Sequence, residues 1–184
     1  SYLYASGGAR VEGAELTSTL IEASGFEKVE GLVTLSPLDN GTYEINGQTF
    51  DKVILACGAW LGQTLEPLGF EVDVRPQKGQ LRDYFFEGVD TGRLPVLMPE
   101  GELDVIPFAG GKISVGASHE NDQGFDLTVD ETVLASLEEE AKTYFPDLST
   151  AKSFSERVGT RAYTSDFSPF FGEVPELELS LIHI

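Results

Sequence analysis

Val53-Ile54-Leu55-Ala56-Cys57-Gly58 is followed by Ala59-Trp60-Leu61-Gly62-Gln63-Thr64-Leu65-Glu66-Pro67-Leu68-Gly69. The first six residues read as a strand apolar on both faces that ends in glycine. Such a strand belongs inside a parallel or mixed sheet with covered faces. The next ten read as a short helix stopped by Gly69. A strand, a glycine and a helix in that order place a ligand site outside the carboxyl end of the strand in α/β sheets.

Upstream, Ala14, Leu16, Leu20, Ile21 and Ala23 recur at helical spacing and Gly25 supplies a stop, so residues 13–24 are expected to form a helix with one buried face. Residues 26–35 are rich in Val and Leu and predict one or two short strands. Residues 36–41 are turn chemistry. Thr42-Tyr43-Glu44-Ile45, Asn46-Gly47 and Gln48-Thr49-Phe50 predict a hairpin, because Asn-Gly accepts the positive φ angles of a two-residue turn.

Downstream of Arg75-Pro76-Gln77-Lys78-Gly79-Gln80 the character changes. Strand-like runs at 81–86, 96–98, 103–108 and 112–117, separated by Gly and Pro turns, predict an antiparallel sheet. Thr128 and Glu131 fit a capping box, and Val133, Leu134, Leu137 and Ala141 give a helical stripe ending before Pro146. Residues 153–163 return as a strand, and Pro169 and Pro175 mark an extended exit. The fold class is therefore α+β. Its expected divisions are residues 1–76, 77–165 and a returning segment 166–184. The last residues, from Glu178, carry neither a helix end nor a polar tail, and fold reasoning sets them aside as a cut-off strand or a non-native end.

Twelve basic side chains face 31 acidic ones, a formal charge of −19. That field repels phosphate backbones, so nucleic acid is not an expected partner. No apolar run is long enough for a membrane span. A single cysteine, Cys57, excludes an internal disulfide and reads as a buried small residue. Asn40-Gly41-Thr42 fits a glycosylation sequon but reads as a turn, and a cytoplasmic location is expected. General catalytic patterns fail. There is no G-x-G-x-x-G, no G-x-S-x-G elbow, and Gly110-Gly111-Lys112 lacks phosphate-loop spacing. His119-Glu120-Asn121-Asp122 is a poor cation site, because successive strand residues point to opposite faces.

Four local strings nevertheless occur in a telling order. They are Ile54-Leu55-Ala56-Cys57-Gly58-Ala59-Trp60, then Arg75-Pro76-Gln77-Lys78-Gly79-Gln80, then Gly116-Ala117-Ser118-His119-Glu120, and finally the run from Arg157 to Gly172. The last is similar to a Gly-x-Arg-Pro-x-Thr-x-Asp-x-x-Pro-x-x-Gly stretch, with Ala162 in place of the proline. Together they resemble the D-amino acid oxidase/glycine oxidase family of FAD-dependent oxidoreductases.

That resemblance implies a piece of an α/β FAD-binding fold joined to an antiparallel substrate domain. It also implies that N- and C-terminal parts of the same protein, carrying the glycine fingerprint and the flavin segment, lie outside these residues. The implied activity is oxidative deamination of a small amine or D-amino acid. A hydride passes from the α-carbon to flavin N5 and the imine is hydrolysed, while protein groups hold the substrate in line.

By the same resemblance, Arg161 anchors the substrate carboxylate, a role that suits a planar, permanently charged fork. His119 is a second candidate on the substrate side. Val33, Ala56, Cys57, Gly58 and Trp60 are the expected cofactor contacts, with Gly58 allowing close approach of backbone. Alternatives remain open at this stage: Arg161 as a structural partner of Asp166 or Glu173, a quinone-linked dehydrogenase, and an acidic α+β module that binds carboxylates without redox chemistry.

Overall fold

The computed structural model describes residues 2–169, 171–174, 177 and 180–182. They fall into two compact units, 1–33 and 34–184, described separately.

The first unit contains helix α1, Gly13–Ser24, closed by Gly25 in the left-handed conformation. The expected buried face is corrected: no residue of α1 is buried. One helix in a 33-residue unit has no second layer of its own to pack against. Residues 26–33 form no strand.

In the second unit, β1 (Leu35–Pro37), β2 (Tyr43–Ile45) and β3 (Gln48–Phe50) make a small antiparallel sheet. Asn46 (φ 50°) and Gly47 (φ 82°) form the tight turn that the dipeptide predicts. Asn40 accepts hydrogen bonds from the backbone and side chain of Thr42, so the sequon is a turn.

Strand β4 is short, Ile54–Leu55. Its apolar sequence suggested burial on both faces, but only Leu55 is buried, and Ile54 is 63% exposed. Leu55 packs into a core with Tyr43, Val74, Val174 and two residues of helix α2 (Leu61–Leu65), namely Leu61 and Leu65. Nothing among the described residues covers the other face. One turn of 3-10 helix precedes α2 and another follows it, ending at Gly69.

The main sheet is built on β5, Arg75–Phe85, an 11-residue strand that starts six residues before the expected Leu81. With β6 (Asp104–Pro107), β7 (Lys112–Gly116) and β8 (Ser153–Tyr163) it forms an antiparallel sheet of order β6-β7-β5-β8. The run at 96–98 contributes only a bridge, Leu97 to Val105. Helix α3, Glu131–Tyr144, covers one face. Its cap is Asp130, which accepts from the backbone of Thr132 and Val133, whereas Thr128 is bonded to Asp126. The capping box is thus displaced: Asp126 engages the Thr128 hydroxyl first. Leu134 and Ala141 are buried, and Ala141 joins Tyr84, Leu103, Val105, Ile113, Val115 and Leu148 in a second core.

The covered face also holds polar groups, each partnered. Gln80, fully buried, donates to Glu120 (2.7 Å) and accepts from the Asp130 N–H (2.7 Å), which fixes the start of α3 against the sheet. Lys78 bonds Asp126 at 3.2 Å, and the Asp126 carboxyl is held down at about 2 by Thr128 and Lys78. Arg82 reaches Glu131, Glu138 (3.0 Å) and Glu156 (2.7 Å) and lies 4.5 Å from the Phe154 ring centroid.

Strand β9, Phe171–Glu173, pairs antiparallel with β10, Ser180–Ile182, which runs parallel to β4. The mixed sheet expected around β4 is present. Residues 180–182 of the segment set aside by sequence reasoning are part of it. Pro175, Glu178, Leu179, His183 and Ile184 lie outside the described residues.

Candidate functional site

Alternation along β5 sends Lys78, Gln80, Arg82 and Tyr84 to the face under α3 and Gln77, Gly79, Leu81 and Asp83 to the opposite, open face. The register Gln77↔Arg161, Gly79↔Gly159, Leu81↔Arg157 puts both arginines of β8 on that open face.

The two arginines differ in kind. Arg157 grips Asp83 through Nε (2.8 Å) and Nη2 (2.9 Å), and Ser114 supports the pair. Burial alone would raise the Asp83 pKa, but hydrogen bonds from Arg157 and Ser114 outweigh it and hold the carboxyl below its ordinary value. Arg161 has no such partner. Among the described residues its guanidinium makes one hydrogen bond, Nη2 to the Ser118 carbonyl at 3.2 Å, and no ion pair. Neither Asp166 nor Glu173 reaches it. Burial lowers its pKa from the usual arginine value, and the charge of Glu102 works the other way.

The guanidinium lies over Gly79, where a side chain would collide with it. Together with Gly79, Leu81, Ala117, Arg157 and Gly159 it lines an open cleft of about 330 Å³. A second cavity of about 410 Å³ borders Arg75, Asn121 and Tyr163 farther along the same face.

His119 reaches the same face by a different route. The pairing of β5 continues beyond the end of β7, with Ser118 N bonded to Gln80 O (3.1 Å) and Lys78 and Glu120 exchanging both backbone bonds. The Ser118 and Glu120 side chains turn to the covered face, where they meet Gln80. Ala117 and His119 between them therefore face the open side, with His119 opposite Gly79. Its Nδ1 lies 3.4 Å from Glu102. Asp104, in register with Gly116, joins this end of the face, and burial raises its pKa against the opposing charge of His119. Sequence reasoning passed over Glu102 and Asp104, and met Gly79 only as part of the string from Arg75 to Gln80, with no role given to it. A glycine inside a strand is the one signal that pointed here.

The expected cofactor residues divide between the units. Val33 closes the first unit and is 59% exposed. In the second unit Ala56, Cys57 and Gly58 follow the carboxyl end of β4. Ala56 is exposed, while Cys57 is partly buried against the first core. Gly58 has φ 53°, and among the described residues beyond its chain neighbours no atom lies within 4 Å of where a Cβ would stand. The chain thus offers bare backbone to open space at the end of a strand, the opening that a dinucleotide needs for close approach. Trp60 is half exposed and stacks on Phe125, centroids 4.9 Å apart. Among the described residues no cluster could hold a metal ion and no helix is long and apolar enough to cross a membrane.

Comparison with known proteins agrees with this architecture. The solved structure of iminodiacetate oxidase from Chelativorans sp. BNC1 superposes with a TM-score of 0.89 at 31% identity, over 96% of this chain and 50% of that one. The uncharacterized oxidoreductase YurR of Bacillus subtilis is 35% identical over 185 residues, 96% of this chain and 50% of that protein. Glycine oxidase of Pseudomonas aeruginosa is 35% identical over 132 residues, 72% of this chain and 34% of the enzyme. The chain spans about half the length of the first two. The pattern of the FAD dependent oxidoreductase family, DAO, matches residues 2–184. With a relative at 35% identity along nearly its whole length, this chain belongs to the DAO family of FAD-dependent oxidoreductases.

Proposed function

We propose that the protein oxidises a small amine or amino acid bearing a carboxylate, and that residues 75–163 form the floor on which the substrate lies. The observation that carries this reading is Arg161: a half-buried guanidinium, without an ion pair among the described residues, facing an open cleft. A cation left this way is costly unless an anion completes it. A carboxylate fits its fork with two parallel hydrogen bonds. The named activities of the two relatives, glycine oxidase and iminodiacetate oxidase, support a small amino-acid substrate.

When bound, FAD supplies the hydride acceptor. Ala56, Cys57, Gly58 and Trp60 would hold it along the end of β4, and Val33, in the first unit, is a cofactor contact by the family resemblance alone. Arg161 fixes one end of the substrate, so that the α-carbon is presented from the sheet floor, and the sheet itself excludes water from below. We further infer that the 184 residues alone do not hold FAD tightly, since they carry no G-x-G-x-x-G phosphate loop. One cysteine and no disulfide suit a reducing compartment and support a cytoplasmic location.

The test is anaerobic titration of the FAD-loaded protein with glycine, sarcosine, iminodiacetate and D-alanine, following loss of the flavin absorbance band. Bleaching by at least one, abolished in Arg161→Ala, is expected. No bleaching by any of them overturns the assignment. A stoichiometric yellow complex formed by the 184 residues alone overturns the inference about the phosphate loop.

A further inference from the structure

Residues 121–129 join the continuation of β7 to the cap of α3, and the start of β5 grips them from both faces of the main sheet. On the open face the buried Gln77 donates through Nε2 to Oδ1 of Asn121 at 2.9 Å. On the covered face Lys78, whose side chain is 4% exposed, reaches Asp126 at 3.2 Å. Between these two holds the backbones of Lys78 and Glu120 exchange both hydrogen bonds. Asp122 (φ 63°) and Gly124 (φ 57°) are left-handed, and the Asp126 N–H bonds the Gln123 carbonyl at 3.1 Å. The segment is therefore a tight strap rather than an extended loop.

A buried ammonium is expensive, and exchanging it for an apolar side chain is often neutral for stability, so Lys78 asks for a role other than holding the core. Its one ion partner among the described residues is Asp126, a side chain 46% exposed on the strap. The pair thus ties the sheet to a surface segment. What that segment carries is Phe125. Its ring stacks on Trp60, with centroids 4.9 Å apart and planes 22° from parallel, the one ring contact Trp60 makes among the described residues. Trp60 closes the 3-10 turn Gly58–Trp60 that leaves β4, and this turn also lies against β5 and β8. The strap lines the cavity of about 410 Å³ with Asn121, Asp122 and Gly124, beside Arg75 and Tyr163. An aromatic pair is a weak contact, and its geometry depends on what holds each ring.

We propose that Lys78 and Asp126 are positioning residues for Trp60. Their ion pair sets the strap, the strap sets Phe125, and Phe125 holds the Trp60 ring and its turn at one distance from the substrate sheet. This rests on the reading that FAD lies along the end of β4, and deepens it. The cofactor contacts and the substrate floor are then joined by a chain of side chains, Lys78 to Asp126 and Phe125 to Trp60, and not by the backbone alone. Neither Lys78 nor Asp126 touches substrate or cofactor in this role, and neither gains or loses a proton. The bond from Gln77 to Asn121 is a second hold on the strap, at its other end. Removing the ion pair therefore frees the end that carries Phe125 and leaves the start of the strap in place.

The experiment is a double-variant cycle. Lys78→Met keeps the length of the side chain and removes its charge, while Asp126 keeps its bonds from Thr128 and faces solvent, so no buried charge is stranded. Phe125→Leu removes the ring alone. Wild type, the two single variants and the double variant are compared by two readings. One is the emission of Trp60 in the apoprotein, taken as the difference from the matching Trp60→Phe protein. The other is FAD affinity, by titration of flavin fluorescence. Trp60 emission should move to the red in each single variant, and FAD affinity should fall about two- to tenfold, the worth of one aromatic pair. The double variant should lose no more than Phe125→Leu alone, because the lysine acts through the ring. Emission and affinity unchanged in Lys78→Met, or losses that add in the double variant, overturn the proposal. Should Lys78→Met fail to fold, Asp126→Asn, which keeps an acceptor for Thr128, takes its place in the same cycle. A red shift in both single variants with FAD affinity unchanged supports the positioning of Trp60 and overturns the reading of the end of β4 as the cofactor site.

Discussion

The Arg161 guanidinium rests on the bare backbone of Gly79: a Cβ built there would stand 2.6 Å from Nη2, 3.4 Å from Cζ and 3.3 Å from the Ser118 carbonyl. The strand interior is a costly place for glycine, and this contact is the physical reason for it. Gly79→Ala should therefore act on the site more than on the fold. The colliding group is the end of a flexible side chain, which can swing away, so the stability cost stays near 1 kcal/mol. The displaced fork loses its bond to Ser118 and its alignment. Carboxylate affinity, measured by titration with isobutyrate, should fall about tenfold or more, while the melting temperature falls by only about 3 °C.

Arg161 and Arg157 should separate cleanly under substitution. Arg161→Met removes a desolvated charge that has no ion partner among the described residues, so thermal stability should hold or rise by about 1 kcal/mol while carboxylate binding is lost. Arg157→Ala strands the buried Asp83 and should destabilise. Arg157 is half exposed and the pair is partly screened, so the loss should be about 2 kcal/mol rather than the full cost of a buried pair. Urea denaturation of the two variants beside wild type decides it; equal losses would mean that the two arginines do the same job.

The pH dependence of that pair has a fixed sign. Asp83 titrates lower in the folded chain than unfolded. Its contribution is complete above the ordinary carboxylate range and is lost as pH falls through the lowered folded value. Thermal melts of wild type should lose stability below about pH 4, and Arg157→Ala should show a shallower fall over the same window.

Asp104 has the opposite sign. Its folded pKa is raised, so the ionised form is a cost to the fold above that value, a cost that disappears once pH drops below the unfolded value. Asp104→Asn should raise the melting temperature at pH 7, by about 2 °C, and give no gain at pH 3. A gain that persists at pH 3 would assign the effect to packing instead.

Much of the main sheet could be read in advance, because alternation and turn residues act locally. Ser153–Tyr163 was delimited to the residue, and Asn46-Gly47 set its hairpin. What escaped was set by partners distant in sequence. The strand β5 begins at Arg75, six residues before the run that was read as a strand, because 11 residues of β8 are there to pair with it. The buried face assigned to α1 and the second buried face assigned to β4 each need a covering layer that no residue pattern of the element itself supplies. Of the candidate site, Arg161 and His119 stand out through their strings, and the structure puts both on the open face of the sheet. Asp104 does not: a lone aspartate at a strand start looks like surface until the register sets it on the same face of the sheet.

Gly58 offers the last separation between fold and cofactor. Its φ of 53° lies in the left-handed region, which costs a residue with a Cβ roughly 1–2 kcal/mol. Nothing among the described residues occupies the space a methyl group would enter. Gly58→Ala should thus lower stability only by that backbone strain, with no steric term added. If the end of β4 carries the dinucleotide, the same methyl stands between backbone and ligand, and FAD affinity should drop far more than stability does. The two quantities are read independently, by urea denaturation without FAD and by fluorescence titration with it. A variant that loses about 1 kcal/mol of stability and binds FAD as wild type does would remove Gly58 from the cofactor contact and leave its glycine explained by backbone conformation alone.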